Sequence, residues 1–518
     1  MNRNGMLQHL DEVKVWDIII IGGGATGLGT AVDAASRGYK TLLVEQFDFA
    51  KGTSSRSTKL VHGGVRYLAQ GNIKLVRESL KERGLLLKNA PHVCHNLSFV
   101  LPCYSLWQII YYGFGLKVYN FLSGTLSLGK TKIITAKNAK TLLPTINPSQ
   151  LKGAIVYQDG QFDDSRLAIN LAQTAVDNGG TVINYCAVTG IIKENKKITG
   201  VQISDKINGN VYDAKCKVLI NATGVFADKI MQMDDGMMKK IILPSQGIHL
   251  VFDKHIFPAH AALMIPKTSD GRVLFAIPWH DKVIVGTTDT QIDEAAIEPA
   301  PLEEEIGFVL QHINKYLRVN VHRKNVLSVF VGQRPLVIKN KIRKSSLMPR
   351  SHTIIISNSG LVTITGGKWT SYRKMGEDAV NNAVFSAKLD KRKCITETLK
   401  IHGWQNNLDK SDAMLVYGSD AKALKQLCAE NEDWANLLHP TLKNIKAEVI
   451  WAVRKEMALT IEDVLARRTR ILFLDAKAAM ECAATVAKLM AGEMKKDNSW
   501  QQQQIISFTE LAKQYLLS

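Results

Sequence analysis

The sequence predicts an α/β protein in which a parallel sheet layer is interleaved with a second, β-rich region and followed by a helical C-terminal part. Three observations predict it. The apolar run Asp17-Ile18-Ile19-Ile20-Ile21 leads directly into Gly22-Gly23-Gly24-Ala25-Thr26-Gly27 and then into helix-forming residues. Short β-like runs such as Ile248–Phe252, Val273–Ile277 and Lys282–Gly286 recur through residues 240–365, with a helical run at Leu302–Tyr316. Helix formers in amphipathic spacing, with little β signal, fill residues 411–518. A chain of 518 residues also exceeds what one core supports, because cores stop growing near about 250–300 residues.

The first element is the most informative. Gly22, Gly24 and Gly27 satisfy G-x-G-x-x-G at the junction of strand and helix. The first glycine permits the turn, the second lets backbone approach a pyrophosphate, and the third lets helix pack on strand. The helix N-terminus then offers unpaired N–H groups and a partial positive charge to phosphates. A second strand, Thr41–Val44, ends in Glu45, where a carboxylate accepts from both hydroxyls of an adenosine ribose and repels a 2′-phosphate. Strand, loop, helix, strand and acid in register make a Rossmann-type dinucleotide-binding unit and disfavour NADP.

Residues 57–90 read as helical, with loop-like glycines at Gly63, Gly64 and Gly71. Residues 154–224 alternate again: a helix near Ser165–Asn178, then strands near Thr181–Cys186, Ile198–Ser204 and Lys217–Asn221. The last strand ends in Ala222-Thr223-Gly224, small residues able to lie beside the same dinucleotide, or simply an ordinary strand end. The expected division is a region 1–390, with cofactor-binding segments at about 14–90, 150–225 and 350–390 and substrate segments at about 91–149 and 226–349. A helical domain follows over 391–518, after the polar link Asp390–Lys393.

The formal charge of +19 and a pI near 9.4 favour anionic partners such as phosphorylated metabolites or anionic lipid, against the plainer reading of a solvated basic surface. No nucleic-acid module is recognisable, so no nucleic-acid partner is expected. Seven scattered cysteines without a CxxC pair suit a reducing compartment better than a disulfide framework, and histidines without HxH or HxxxH spacing predict no metal. The N-terminus shows no export signal, and no apolar stretch reaches the roughly 18–20 residues needed to span a bilayer. The aromatic-rich stretch Trp107–Phe121 is either an interfacial helix or a helix buried under the substrate region.

The stretch Gly52-Thr53-Ser54-Ser55-Arg56-Ser57-Thr58-Lys59-Leu60-Val61-His62-Gly63-Gly64-Val65-Arg66-Tyr67-Leu68 resembles the membrane-associated, FAD-dependent glycerol-3-phosphate dehydrogenases. So do the opening glycine loop, Gly332-Gln333-Arg334-Pro335-Leu336, Gly366-Gly367-Lys368-Trp369-Thr370-Ser371-Tyr372-Arg373-Lys374, and Glu462-Asp463-Val464-Leu465-Ala466-Arg467-Arg468-Thr469-Arg470. Gly376 departs from the alanine usual there. The resemblance covers nearly the whole chain. It implies a fold like glutathione reductase and D-amino acid oxidase: an FAD domain interleaved with a β-rich substrate domain, plus an α-helical C-terminal cap. It implies oxidation of glycerol 3-phosphate to dihydroxyacetone phosphate and electron transfer to a membrane quinone. The expected setting is cytoplasmic, peripheral to the inner face of the cell membrane and its anionic surface, with a homodimer one possible assembly.

The same resemblance assigns Arg66 and Arg334 to the substrate phosphate, helped by the Tyr67 hydroxyl; a guanidinium fork suits a phosphate dianion. His249 is the candidate base, although a single histidine in an apolar strand is more often a satisfied core residue, and His62 competes for the role. Lys368, after Gly366-Gly367, is placed to offset negative charge on the reduced flavin or to polarise the substrate oxygen. Thr287 and Asp289 are second-tier pocket residues. Flavin contacts are expected at Gly22, Gly24, Ala25, Thr26, Gly27, Glu45, Gln46, Thr53, Ser54, Ser55, Lys59, Leu60, His62, Gly63, Gly64, Val188, Ala222, Thr223, Gly224, Gly366, Gly367, Lys368, Trp369 and Thr370. The competing readings are a glycerol-3-phosphate oxidase that passes electrons to O2 and releases H2O2, an amine oxidase of the same fold, and a non-catalytic FAD-bound scaffold.

Overall fold

The strand Trp16–Ile21 lies at the centre of a parallel layer, with Ile18, Ile19 and Ile20 wholly shielded from solvent. The computed structural model describes residues 1–69, 71–338, 351–409 and 411–517, apart from the side chains of Arg66 and Ala69. Among these residues an eight-stranded sheet runs His352–Ile356, Val362–Gly366, Val211–Asn221, Trp16–Ile21, Thr41–Val44, Thr181–Ile183. Its strands are parallel except for the edge strand His352–Ile356, and the hairpin Cys186–Glu194 and Lys197–Asp205 extends Val211–Asn221 in antiparallel fashion. Strands buried on both faces explain the unbroken isoleucine run. Helices Ala25–Ser36, Asp164–Asp177 and Tyr372–Ser386 share one core with this sheet.

A ten-stranded sheet carries the β-rich region. Its long strands Ile242–Asp253 and Val326–Val337 pair antiparallel along most of their length, and Cys94–Cys103 pairs with Gly153–Phe162 from end to end. These last two strands were not legible in the sequence, because their buried positions include Pro102, Asp159, Gly160 and Gln161 and break any period of two. The helical expectation for residues 57–90 is corrected in one place. Leu60–Val61 is a strand on the edge of this second sheet, paired with Gly160–Gln161, before the helices Val65–Ala69 and Ile73–Asn89. Pairing with a distant strand overrides the local helix preference.

The C-terminal helices Ala447–Glu456, Ile471–Leu474, Ala476–Met494 and Asn498–Lys513 have a small cluster of their own around Tyr417 and Trp451 and share a larger core with the second sheet. They bury Ile471, Leu472 and Phe473 in one cluster with Val251, Ile284 and Phe330 of the second sheet. Ion pairs close the rest of the contact. Asp48 binds Arg467 and Arg468, Glu456 binds Arg166, and Asp163 binds Arg470.

His402 joins the two regions from the side. Its Nδ1 lies 2.6 Å from Asp177 and its Nε2 lies 2.9 Å from Asp420. Burial opposes the charged imidazole, but the two carboxylates outweigh it and push His402 up to about 9. Because the folded value lies above the ordinary one, this stabilisation is complete below the unfolded pKa of about 6.5 and disappears as pH rises through the folded value. Raising the pH from 6.5 to 9.5 should therefore lower the Tm of the wild type by more than that of His402→Gln, by on the order of 2–4 °C. Parallel pH–Tm curves for the two proteins would refute the assignment.

Candidate functional site

The C-terminal ends of Trp16–Ile21 and Val211–Asn221 lie side by side, so the glycine loop and Ala222–Gly224 form adjacent edges of one cavity of about 1350 Å³. This exceeds the ~300–1,000 Å³ of an ordinary small-ligand pocket and has room for more than one molecule. Close backbone approach builds its floor. A Cβ on Gly22, whose φ is +110°, would stand 2.8 Å from the Ala222 carbonyl oxygen, and one on Gly27 would fall 1.8 Å from that of Gly22. The helix Ala25–Ser36 therefore packs against the strand and presents its N-terminal residues Ala25 and Thr26 to the cavity. Gly27 itself does not line the cavity; its part is this packing.

Glu45 closes the turn. Its carboxylate accepts the Gly23 amide at 2.7 Å and the Phe47 amide at 2.9 Å. Burial pushes its pKa up, while the two amides pull the other way. The Asn221 amide donates to Thr363 Oγ1, and its Oδ1 accepts from the Thr223 hydroxyl at 2.7 Å, fixing the Ala222–Gly224 edge. Ser54 Oγ accepts the Ala25 amide at 2.9 Å, and the Ser54 carbonyl accepts the Trp369 indole N–H at 2.8 Å. The Thr53 hydroxyl donates to the Gln333 carbonyl at 2.6 Å. Gln46, Leu60, Val188, Gly366, Gly367 and Thr370 line the same cavity. Bare backbone, a helix N-terminus and an acid after the second strand suit an adenine dinucleotide.

Besides Gly27, three of the expected contacts take other places. Ser55 and Lys59 are buried behind the cavity wall, and Lys59 turns away from it. Its ammonium sits 2.7 Å from both oxygens of Asp164 and inside a ring of Trp279, Phe330 and Phe473. A buried ammonium needs a counter-ion, and the cavity side offers none as near. Gly63 is packed under Leu80 and Tyr119, its amide donating to the Tyr119 hydroxyl at 2.7 Å. Gly64 does line the cavity.

The far end of the cavity is cationic. Arg334, from Val326–Val337, stands opposite Ser245 on the neighbouring strand. Its Nη2 donates to Thr287 Oγ1 and to the Thr288 carbonyl, each at 3.1 Å, and its Nη1 reaches Asp289 and the Gln246 carbonyl at 3.3 Å. Asp289 is further held by the Ser245 hydroxyl. Only glycine fits at 247, where a Cβ would come 2.6 Å from Arg334 Nη2. Lys368, beyond the strand Val362–Gly366, extends its ammonium 4.1 Å over the Tyr67 ring and 3.4 Å from Ser79 Oγ. The side chain of Arg66 lies outside the described residues.

Two histidines face this end, both held neutral at pH 7. His249 is buried, its ring stacked on Phe330 at 4.8 Å, with Nε2 2.9 Å from the Thr58 hydroxyl. Burial drives its pKa well below the ordinary value, with Lys59 and Arg334 adding to the effect. His62 is lowered to about 4 by burial first and then by Lys368. Sequence reasoning missed Thr58 as the partner of His249, although it lies within the stretch quoted above. It also missed the apolar wall of Phe99, Tyr157, Met264 and Phe275, which comes mainly from the two unread strands and their neighbours.

The family model described as FAD dependent oxidoreductase matches residues 17–373, and that described as the C-terminal domain of alpha-glycerophosphate oxidase matches residues 394–504. The chain is 38% identical to a mitochondrial glycerol-3-phosphate dehydrogenase of Arabidopsis thaliana, covering 96% of this chain and 86% of the relative. It is also 38% identical to the mitochondrial glycerol-3-phosphate dehydrogenase of Homo sapiens, over 99% of this chain and 75% of the relative. Among solved structures, the glycerol-3-phosphate dehydrogenase of Bacillus halodurans complexed with FAD superposes with a TM-score of 0.82 at 28% identity, covering 99% and 97% of the two chains. An L-proline dehydrogenase of P. horikoshii, at 19% identity and a TM-score of 0.56, shares the fold alone.

Proposed function

The chain belongs to the FAD-dependent glycerol-3-phosphate dehydrogenase family, and from that premise we propose that it oxidises sn-glycerol 3-phosphate to dihydroxyacetone phosphate with FAD and delivers the electrons to a quinone at a lipid surface. One observation carries the reading: the dinucleotide cradle and the Arg334 fork open into one cavity, which neutral His249 and Lys368 also line. The Gly22–Thr26 loop, Glu45 and Ala222–Gly224 would hold the dinucleotide. When bound, FAD supplies the hydride acceptor.

This chain's residues supply the rest. Arg334 binds the phosphate dianion, and the Thr287 hydroxyl, already hydrogen-bonded to Nη2, fixes the direction of the fork. His249 enters the reaction unprotonated, so its imidazole accepts the proton of the substrate hydroxyl at Nε2, in place of the Thr58 hydrogen bond. Lys368 offsets the negative charge that develops on the substrate oxygen as its hydroxyl proton leaves for His249 and the carbinol hydride leaves for the cofactor.

The lipid surface is read from the helix Leu106–Leu122. Its inner face buries Gly113, Leu116 and Tyr119 against the second sheet, while Trp107 is 70% exposed, Phe114 73% and Phe121 83%. A contiguous exposed apolar face of this kind marks a docking surface. Lys117 on the helix and Lys130, Lys132, Lys137 and Lys140 in the segment after it are exposed, and no aspartate or glutamate occurs anywhere between Arg83 and Gln158. Aromatic rings at headgroup depth, with lysines toward anionic lipid, fit an interfacial helix. Among the described residues no helix is long and apolar enough to cross a membrane.

Arg334→Ala should raise KM for glycerol 3-phosphate about 10–100-fold, the loss of a charge-assisted fork, while the FAD content of the purified protein stays constant; an unchanged KM refutes the phosphate role. His249→Gln should slow anaerobic bleaching of the flavin by glycerol 3-phosphate ~10²–10⁴-fold, with little change in the affinity of an inert phosphate analogue. Equal losses in rate and affinity would make His249 a binding group instead. Replacing Trp107 and Phe114 together by serine should release the protein from vesicles containing anionic lipid without changing its activity toward a soluble quinone, as cosedimentation will report. Stoichiometric peroxide release in place of quinone reduction would favour the oxidase reading.

A further inference from the structure

Between the acid Glu45 and the hydroxyls of Thr53 and Ser54 the chain follows an irregular path, and nearly all of that path is cavity wall: Glu45 to Phe47 and Ala50 to Ser54 line it. Phe49, packed in the core, and Asp48 are the exceptions, and Asp48 is the charged one. It points away from the cavity and is fully buried. Its carboxylate accepts Arg467 Nε at 2.5 Å, Arg468 Nη1 at 2.6 Å and Arg468 Nη2 at 2.9 Å. Both arginines belong to the C-terminal region, on the π-helical turn Asp463–Arg468, and neither lines the cavity.

That turn is itself held on several sides. Arg467 also reaches Glu462 at 2.7 Å and Asp463 at 2.8 Å, Arg468 donates to the Glu456 carbonyl at 2.7 Å, and the Tyr185 hydroxyl donates to Asp463 at 2.7 Å. Glu462 returns to the loop, accepting Lys51 Nζ at 2.6 Å. Inside the loop the Ala50 amide donates to the Gly23 carbonyl at 2.9 Å, so any displacement of residues 48–50 is passed to the glycine loop. Burial alone would raise the Asp48 pKa, but the two guanidiniums outweigh it and hold it at about 2.

Resting on the flavoenzyme reading above, we propose that Arg467 and Arg468 are positioning residues for the cofactor. Through Asp48 they clamp the loop that carries Glu45, Thr53 and Ser54, so the C-terminal helical region sets the affinity for FAD without touching it. Removing the carboxylate charge leaves two buried guanidiniums with less to hold and frees the loop between its ends. Substituting lysine for Arg468 keeps a charge but not the two-point grip.

The test uses the full-length protein stripped of flavin and titrated with FAD, following the quenching of flavin fluorescence, with Tm measured in parallel. Asp48→Asn should raise the Kd for FAD at least about tenfold, and Arg468→Lys should fall between it and the wild type. Asp163→Asn is the control. It weakens another bridge to the C-terminal region, the 2.9 Å contact to Arg470, at a site outside the loop, and should lower Tm while leaving the Kd unchanged. The proposal is overturned if Asp48→Asn binds FAD as tightly as the wild type, or if Asp163→Asn loses FAD affinity to the same degree, which would reduce the clamp to general stability. Failure of the wild-type apoprotein to take up FAD would instead sink the flavoenzyme reading itself.

Discussion

Everything in this molecule is arranged around a place where two backbones touch. Gly27 on the first helix lies against Gly22 so closely that a Cβ would fall 1.8 Å from a carbonyl oxygen. That approach brings the helix N-terminus to the mouth of the central strand. The parallel neighbour Val211–Asn221 ends at the same level and adds the small residues Ala222 to Gly224. A phosphate-sized anion then meets amides and a helix dipole rather than side chains. The second sheet supplies what this floor lacks: a cation in Arg334, a neutral imidazole in His249, and an apolar wall. Neither layer alone makes a chemically competent site.

The electrostatics follow from burial. Burial first, and nearby cations second, raise the cost of protonating the histidines, so His249 and His62 stay neutral and one can serve as a base. Behind the cavity, charges survive burial only in pairs: Lys59 with Asp164, Arg166 with Glu456, Asp48 between two arginines. Breaking one partner out of such a pair costs about 3–5 kcal/mol. The last two of these pairs bind the C-terminal helices to the helix Asp164–Asp177 and to the cofactor-side loop. A region that reads as a separate helical domain is thereby locked onto the rest of the fold, and Phe473 extends the contact through Phe330 to the ring of His249.

Sequence reasoning was strongest where the signal is local. The strands Thr41–Val44 and Lys282–Gly286 and the helix Glu303–Tyr316 were legible to within a residue, because uniform apolar runs and helical spacing declare themselves over a few residues. Cys94–Cys103 and Gly153–Phe162 were not. Their polar and glycine positions make sense only once each strand covers the other. Lys59 was misplaced for the same kind of reason. A lysine among cavity-lining residues looks like a ligand, and only Asp164, from a helix far along the chain, turns its ammonium inward.

The amino-acid sequence by itself determined the dinucleotide unit, the interleaved α/β plan, the family and the residue types available for chemistry, since glycine spacing, apolar periodicity and short motifs are properties of contiguous residues. The tertiary structure alone decided which side chains share a cavity, which histidine nitrogen meets Thr58, which aromatic helix face stays uncovered, and that Asp48 is the partner of Arg467 and Arg468. Those outcomes depend on distances between segments hundreds of residues apart and on which charges lose their water. No local pattern encodes either.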